Sequence, residues 1–319
     1  MKLIVSELGV LKGYVTREFF HVITDLVTNY GWRQIEPSRL CRGVGTVKGT
    51  LMREFGELPE VILFWETYDF LLYHAYDVIQ LDCRKCFFAD DIHAGYVDDP
   101  EGQEKLLSYS LCDTILGSYA YLLAKFYPRL SGARRMVWVP HSASPDFMLP
   151  YNDHPENAIF LSGCVDRHYP LRQRLKRLHE QQTYAIAYHP HPGYHCRHDY
   201  GTSGDVGRGY AARIHNYRVG FTDSLIFKYL VAKYFEIPAT GALLLADGAV
   251  TRQLKELGLT ENRHYLSVSS DDLEEKIRYV LDEKNRVELD EIRRRGQELV
   301  WERHKTSDRA RLINEACAA

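Results

Sequence analysis

Short apolar runs recur along the chain, each followed by a stretch long enough for a helix. Residues 3–5 precede a helical pattern at 16–28, and further runs fall at 61–64, 85–89, 113–116 and 136–139. The runs are too short for buried helices and lack the alternation of half-solvated strands. They read as parallel strands covered on both faces, which restricts the chain to α/β architectures. After Val139 the sequence Pro140-His141-Ser142-Ala143-Ser144-Pro145 leads to Pro150-Tyr151-Asn152-Asp153-His154-Pro155, where four prolines break any regular element. This stretch reads as an interdomain linker.

A second α/β series follows the prolines. Strands are expected at 158–162, 184–188, 219–221 and 242–246, and helices at 171–180, 224–234 and 273–281. Gly241 stops the helix before the 242–246 run. Residues 287–318 are charged and helical, with a break around His304-Lys305-Thr306. A length of 319 residues suits two domains. The boundaries read as 1–150 and 156–300, with 301–319 as a C-terminal helix.

Composition narrows the functional classes. Hydrophobic residues make up 45% and charged residues 26%, with a net charge of -3, so no global field favours nucleic acid or an acidic membrane. No apolar run approaches the ~18 residues of a membrane span. The N-terminus becomes acidic at Glu7, too early for a signal peptide. Seven cysteines, an odd number, suit a reducing cytoplasm. Cys83 and Cys86 read as strand cysteines, having no second pair. The sequence has neither a dinucleotide-binding G-x-G-x-x-G nor a G-x-x-x-x-G-K-[ST] phosphate loop.

Several motifs carry candidate chemistry. In Phe235-Glu236-Ile237-Pro238-Ala239-Thr240-Gly241, one carboxylate stands at the mouth of an α/β unit, where it can accept two hydroxyl bonds from a ribose diol. Leu161-Ser162-Gly163-Cys164 is followed by Tyr169-Pro170-Leu171-Arg172. A glycine after a strand lets backbone N–H groups approach a phosphate, a helix N-terminus favours the anion, and Arg172 or Arg174 can grip a diphosphate. His191 and Tyr194 lie in His189-Pro190-His191-Pro192-Gly193-Tyr194 and could touch the base or the diphosphate. The crowding of His189, His191, His195, Cys196 and His198 fits no common zinc spacing, so no metal is expected. Lys228, two turns before Glu236, would share a helix face with it. In the first half, Asp90-Asp91-Ile92-His93 follows a strand, so Asp91 or His93 could be a general base. His141 ends the last strand of that half, and Trp65-Glu66-Thr67 follows the second.

The Gly163 and Tyr-Pro-Leu-Arg strings, together with the Glu236 segment, resemble nucleotide-sugar glycosyltransferases of the two-Rossmann (GT-B) type, in particular the CgeB-like group. His304, Thr306 and Arg309 fit the start of that group's last helix, with Lys305 inserted. The resemblance implies two Rossmann-like domains facing a central cleft, with the last helix returning to the first. It places the donor on the second domain, with Glu236 at the ribose beside Thr240 and Gly241. Gly163, Arg172, His191, Tyr194 and Lys228 would complete that donor site. Catalysis would draw on Asp91, His93 and His141. A UDP- or GDP-sugar would be the donor, with no metal or other cofactor. The acceptor would be a hydroxyl on a glycan, a protein or a modified DNA base, the last disfavoured by net charge, and the outcome tilts towards retention. The rival expectation is a non-catalytic, two-lobed nucleotide or sugar binder.

Overall fold

The computed structural model describes residues 1–40, 45–93, 99–130, 132, 134–193, 198–201 and 203–319. Tyr194, His195 and Cys196 lie outside the described residues. The chain forms two units. The first comprises Met1–Lys12, Phe19–Pro140 and Ser307–Ala319, and the second Gly13–Glu18 and His141–Thr306.

The first unit is built on six parallel strands in the order β2-β1-β3-β4-β5-β6. They are β1 (Lys2–Val5), β2 (Trp32–Ile35), β3 (Val61–Trp65), β4 (Arg84–Ala89), β5 (Thr114–Gly117) and β6 (Arg135–Trp138). Central β3 is buried along its whole length, so it appears as a continuous apolar run. Edge strand β2 buries only its end residues Trp32 and Ile35 and leaves no such signal. The core includes Ile4, Leu63, Trp65 and Phe88 together with Ala310 and Ile313 of the helix Thr306–Ala318. Polar ties fix that helix. Trp32 Nε1 donates to Asn314 Oδ1 at 3.0 Å, and Arg84 and Arg135 donate to the carbonyls of Cys317 and Ala316 at 2.9 and 3.0 Å. The two arginines satisfy carbonyls that a helix end leaves without intrahelical partners.

The second unit holds five parallel strands in the order β11-β10-β9-β7-β8. They are β7 (Glu156–Gly163), β8 (Ile186–Pro190), β9 (Tyr217–Thr222), β10 (Leu243–Asp247) and β11 (Leu266–Val268). Ile159, Leu161, Phe221, Leu243 and Ile277 are among its buried core. The proline-rich stretch from His141 onward belongs to this unit. Tyr151 lies under Arg293 and Arg294 at 4.7 and 3.9 Å, and Gln297 donates to the Leu149 carbonyl at 2.9 Å. These contacts hold residues 149–151 against the helix Arg286–Arg303.

One expected helix does not form. Residues 224–230 fold as turns, with Leu225 and Lys228 at φ values of 58° and 66°. The helix begins only at Lys233 and runs Lys233–Ala239. The Ser224 hydroxyl and N–H bond Asp247 at the end of β10, and Tyr229 N–H returns to the Ser224 carbonyl at 2.7 Å. Those bonds close the chain on itself and preclude a helical ladder there. Each sheet reverses its strand order after its first strand, at β1/β3 in the first unit and at β7/β9 in the second. Ligands of open parallel sheets bind at the carboxyl ends beside such switch points. Among the described residues, no helix is long and apolar enough to cross a membrane.

Candidate functional site

The β7/β9 switch point of the second unit is bridged by Arg172. Its side chain is buried, and its Nη1 donates to the Cys164 carbonyl just past β7 at 3.2 Å. On the β9 side, Nη2 donates to Thr222 Oγ1 at 3.0 Å and Nε lies 2.9 Å from Asp223 Oδ1. The guanidinium also stacks on Tyr169 at 4.1 Å. Arg172 N–H donates to Asp223 Oδ2 at 3.1 Å, so the helix Pro170–Glu180 spends that first-turn donor on a protein carboxylate. Burial pushes the Asp223 carboxyl up, against the pull of Arg172.

Gly163 ends β7 with φ 98°. A Cβ built there would lie 3.1 Å from Arg172 Nη1 and 3.0 Å from Lys233 Cε. Two cationic side chains therefore converge on a glycine that only a residue without a side chain can supply. The Lys233 ammonium donates to Tyr210 OH at 2.7 Å, and that hydroxyl lies 2.5 Å from Ser162 Oγ. Gly220 on β9 sets the depth of the helix carrying Lys233, since a Cβ there would come within 2.6 Å of Ile237.

Glu236 lies one turn after Lys233 and is buried. Desolvation pushes its carboxyl above its ordinary range. Lys233 pulls it down, Glu18 pushes it up, and His141 pulls it down. Glu18 and His141 count with this unit and are themselves buried. His141 Nδ1 is 2.7 Å from Glu18 Oε2, and the Ser142 N–H and hydroxyl reach Glu18 Oε1 at 2.5 and 2.8 Å. Glu18 thus orients the imidazole and ties the 13–18 segment to residue 142. Glu18→Gln should lower stability by about 1–3 kcal/mol, because the bonds lose their charged acceptor. Thermal unfolding checks this, and an unchanged midpoint would refute it.

His191 follows β8. Gly193 N–H donates to its Nδ1 at 3.0 Å, so the neutral ring carries its proton on Nε2. Burial, then the charges of Lys233, Arg172 and His198, push its pKa down to about 4. Nearby, His189 Nε2 is 3.2 Å from Asp205 Oδ1. Arg17 chelates Asp146 at 3.0 and 2.9 Å and lies 4.1 Å above Tyr200.

The structure thus brings together Gly163, Arg172, Lys233 and Glu236, with His141 and His191 near enough to act on their charges. Lys228 lies on the exposed turn before the helix, not on one helix face with Glu236. Thr240 and Gly241 lie at the other end of that helix. They close the far end of the helix Lys233–Ala239 and lead into the amino end of β10, opposite the carboxyl ends. Thr240 Oγ1 donates back to the Ile237 carbonyl at 2.8 Å, and Gly241 takes the left-handed φ of 81° after the cap. Asp91 and His93 lie in the first unit, with Oδ1 and Nδ1 3.9 Å apart and both side chains well exposed. Tyr194 is outside the described residues. Lys233 and Glu18 were missed. Lys233 carried a readable signal, three residues before Glu236, whereas Glu18 reaches His141 across 123 residues of sequence. No three His, Cys, Asp or Glu side chains among the described residues converge as a metal site.

Residues 194–315 match the profile of a glycosyl transferase-like family. No curated protein matches the sequence significantly. Solved structures share the fold along the whole chain. A sucrose-phosphate synthase from Thermosynechococcus elongatus superposes with a TM-score of 0.65 at 11% identity, covering 98% of this chain and 97% of that one. An alpha-glucosyltransferase in complex with UDP-glucose and DNA containing an abasic site gives 0.64 at 11% identity, covering 99% and 98%. HepE of Anabaena in complex with UDP-glucose gives 0.61 at 9% identity, covering 99% and 98%. The fold is that of GT-B glycosyltransferases.

Proposed function

We propose that this protein is a glycosyltransferase that moves a sugar from a UDP-sugar to a hydroxyl acceptor. One observation carries the reading: Lys233 and Arg172 converge on Gly163 at a parallel-sheet switch point, one helical turn from the buried Glu236. That is a diphosphate cradle beside a hydroxyl-binding carboxylate. The glycosyl transferase-like match over 194–315 and the UDP-sugar held by two neighbours of the same fold support it.

In the proposed reaction the bond from the sugar's anomeric carbon to the diphosphate oxygen breaks, and the electron pair leaves with the nucleoside diphosphate. Lys233, with the partly neutralised Arg172, stabilises that charge in a fixed geometry. The acceptor oxygen bonds the anomeric carbon and gives up its proton. Asp91, His93 and the Glu18-oriented His141 are the proposed proton carriers. Glu236 takes the ribose hydroxyls. The free thiols fit a reducing cytoplasm.

A thermal-shift series with uridine, UDP, GDP and UDP-glucose tests the binding half. UDP should raise the melting temperature where uridine does not, with about 2.7 kcal/mol of stabilisation at a hundredfold excess over Kd. The gain should grow as pH falls from 7 towards 5. An anion beside His191 raises the ring's depressed pKa, so binding draws in a proton. No shift with any nucleoside diphosphate would overturn the reading. Release of UDP from UDP-glucose separates an enzyme from a non-catalytic binder. A modified DNA base as acceptor is a second reading, favoured by the neighbour bound to DNA and opposed by the net charge of -3.

A further inference from the structure

The first unit has its own switch point, and a cavity of about 300 Å³ opens there. It is lined by residues following β1 (Glu7), β2 (Pro37 and Ser38) and β3 (Glu66 and Thr67), and by the helix Tyr68–Ile79. The volume lies at the lower end for small-molecule sites, about 300–1,000 Å³. Its backbone is held in uncommon geometry on both sides. Glu66 sits at φ 50°, a left-handed conformation that costs a non-glycine residue free energy, and such strain gathers at functional sites. His74 breaks the helix with φ -117° and ψ 19°. Thr67 is 7% exposed, and its hydroxyl finds no partner among the described residues. Tyr73 is the reverse, an aromatic ring left 85% exposed at the rim.

The lining chemistry restricts the occupant. Glu7, Glu66 and Asp69 supply carboxylate oxygens, Ser38 and Thr67 hydroxyls, and Tyr73 an apolar face. No lysine or arginine lines the cavity among the described residues. A phosphate or carboxylate would meet three acids, with the His74 imidazole in the lining and Lys105 acting on Glu66 from outside it as the opposing groups. A ring bearing several hydroxyls would donate to those acids and lay its C–H face on Tyr73. The Glu66 carboxyl also accepts Asp90 N–H at 2.9 Å, which fixes its aim. Desolvation against the sheet end, then the charge of Asp90, pushes that carboxyl upward, while its outer side stays open. A carboxyl held partly neutral suits an uncharged ligand over a cation.

We propose that this cavity binds a neutral saccharide, which makes the acceptor class an uncharged glycoside rather than a phosphorylated or polyanionic one. The cavity stands on its own geometry; only the word acceptor rests on the glycosyltransferase reading.

The test is saturation-transfer NMR on the full chain without donor. The probes are methyl α-glucoside, its 6-phosphate and methyl glucosaminide. The neutral glycoside should bind, and the phosphate should bind about tenfold more weakly or not at all. Tyr73→Ala, on an exposed ring, and Thr67→Val, nearly isosteric, should each weaken the neutral probe about tenfold. The proposal fails if the neutral glycoside does not bind, if the phosphate or the amine binds more tightly, or if both variants bind it unchanged. A UDP thermal shift in the same preparation keeps the two readings apart. UDP binding without glycoside binding sinks the cavity alone, and glycoside binding without any nucleotide shift sinks the transferase reading and upholds the cavity.

Discussion

Arg172→Ala is expected to lower the stability of the second unit by about 3–5 kcal/mol, the usual cost of stranding one partner of a buried ion pair. Asp223 is 1% exposed and takes two contacts from Arg172, one from the backbone N–H and one from Nε. Removing the guanidinium leaves that carboxylate desolvated with only the N–H. The loop after β7 also loses its tie to β9, since Cys164 and Thr222 meet through the same side chain. Arg172→Met with Asp223→Leu should recover much of the loss, because an apolar pair of similar volume removes the charge rather than stranding it. Urea unfolding of the two variants reads the difference. A single variant that unfolds at the wild-type midpoint would show that Asp223 does not depend on Arg172. Lost nucleotide binding in the single variant would therefore not identify a phosphate contact.

That distinction marks where the sequence stops being legible. The Tyr-Pro-Leu-Arg string placed Arg172 correctly at the start of a helix after a glycine-ended strand. Its engagement with Asp223, 51 residues away, left no local trace. The buried strands were legible because both faces are covered, so β3 and β10 read as unbroken apolar runs. Edge strand β2 and three-residue β11 carry polar residues at their centres and did not. The misread helix at 224–234 shows a different failure. Of its apolar residues Leu225, Leu230 and Tyr234 are buried, 9%, 0% and 0% exposed, whereas Phe227 and Val231 are only partly covered. Leu225 and Leu230 are buried by a turn that Asp247 holds from β10. Periodicity reports which side chains go inside, not which backbone takes them there. The misread helix put Lys228 on a face with Glu236, whereas in the structure Lys233 is the lysine one turn before it.

Lys233→Met should lower turnover by about 10²–10³-fold, the typical loss when one fixed donor to a developing anion is removed. Folding should survive, because Lys233 is only half-buried and its ammonium donates to a neutral hydroxyl, that of Tyr210. Methionine keeps the stem that packs on Gly163 and removes only the charge. If the ammonium acts mainly on the leaving diphosphate, kcat should fall more than the affinity for intact UDP-sugar, since charge builds there as the bond breaks. Lys228→Met is the parallel variant, at an exposed lysine five residues earlier that the sequence reading places at the donor. UDP release from UDP-glucose, measured with single-turnover rates and UDP affinity, separates these outcomes. Wild-type turnover in Lys233→Met would remove Lys233 from the mechanism. A collapse in Lys228→Met alone would mean that the 224–230 turn, not the helix after it, carries the cation of the site.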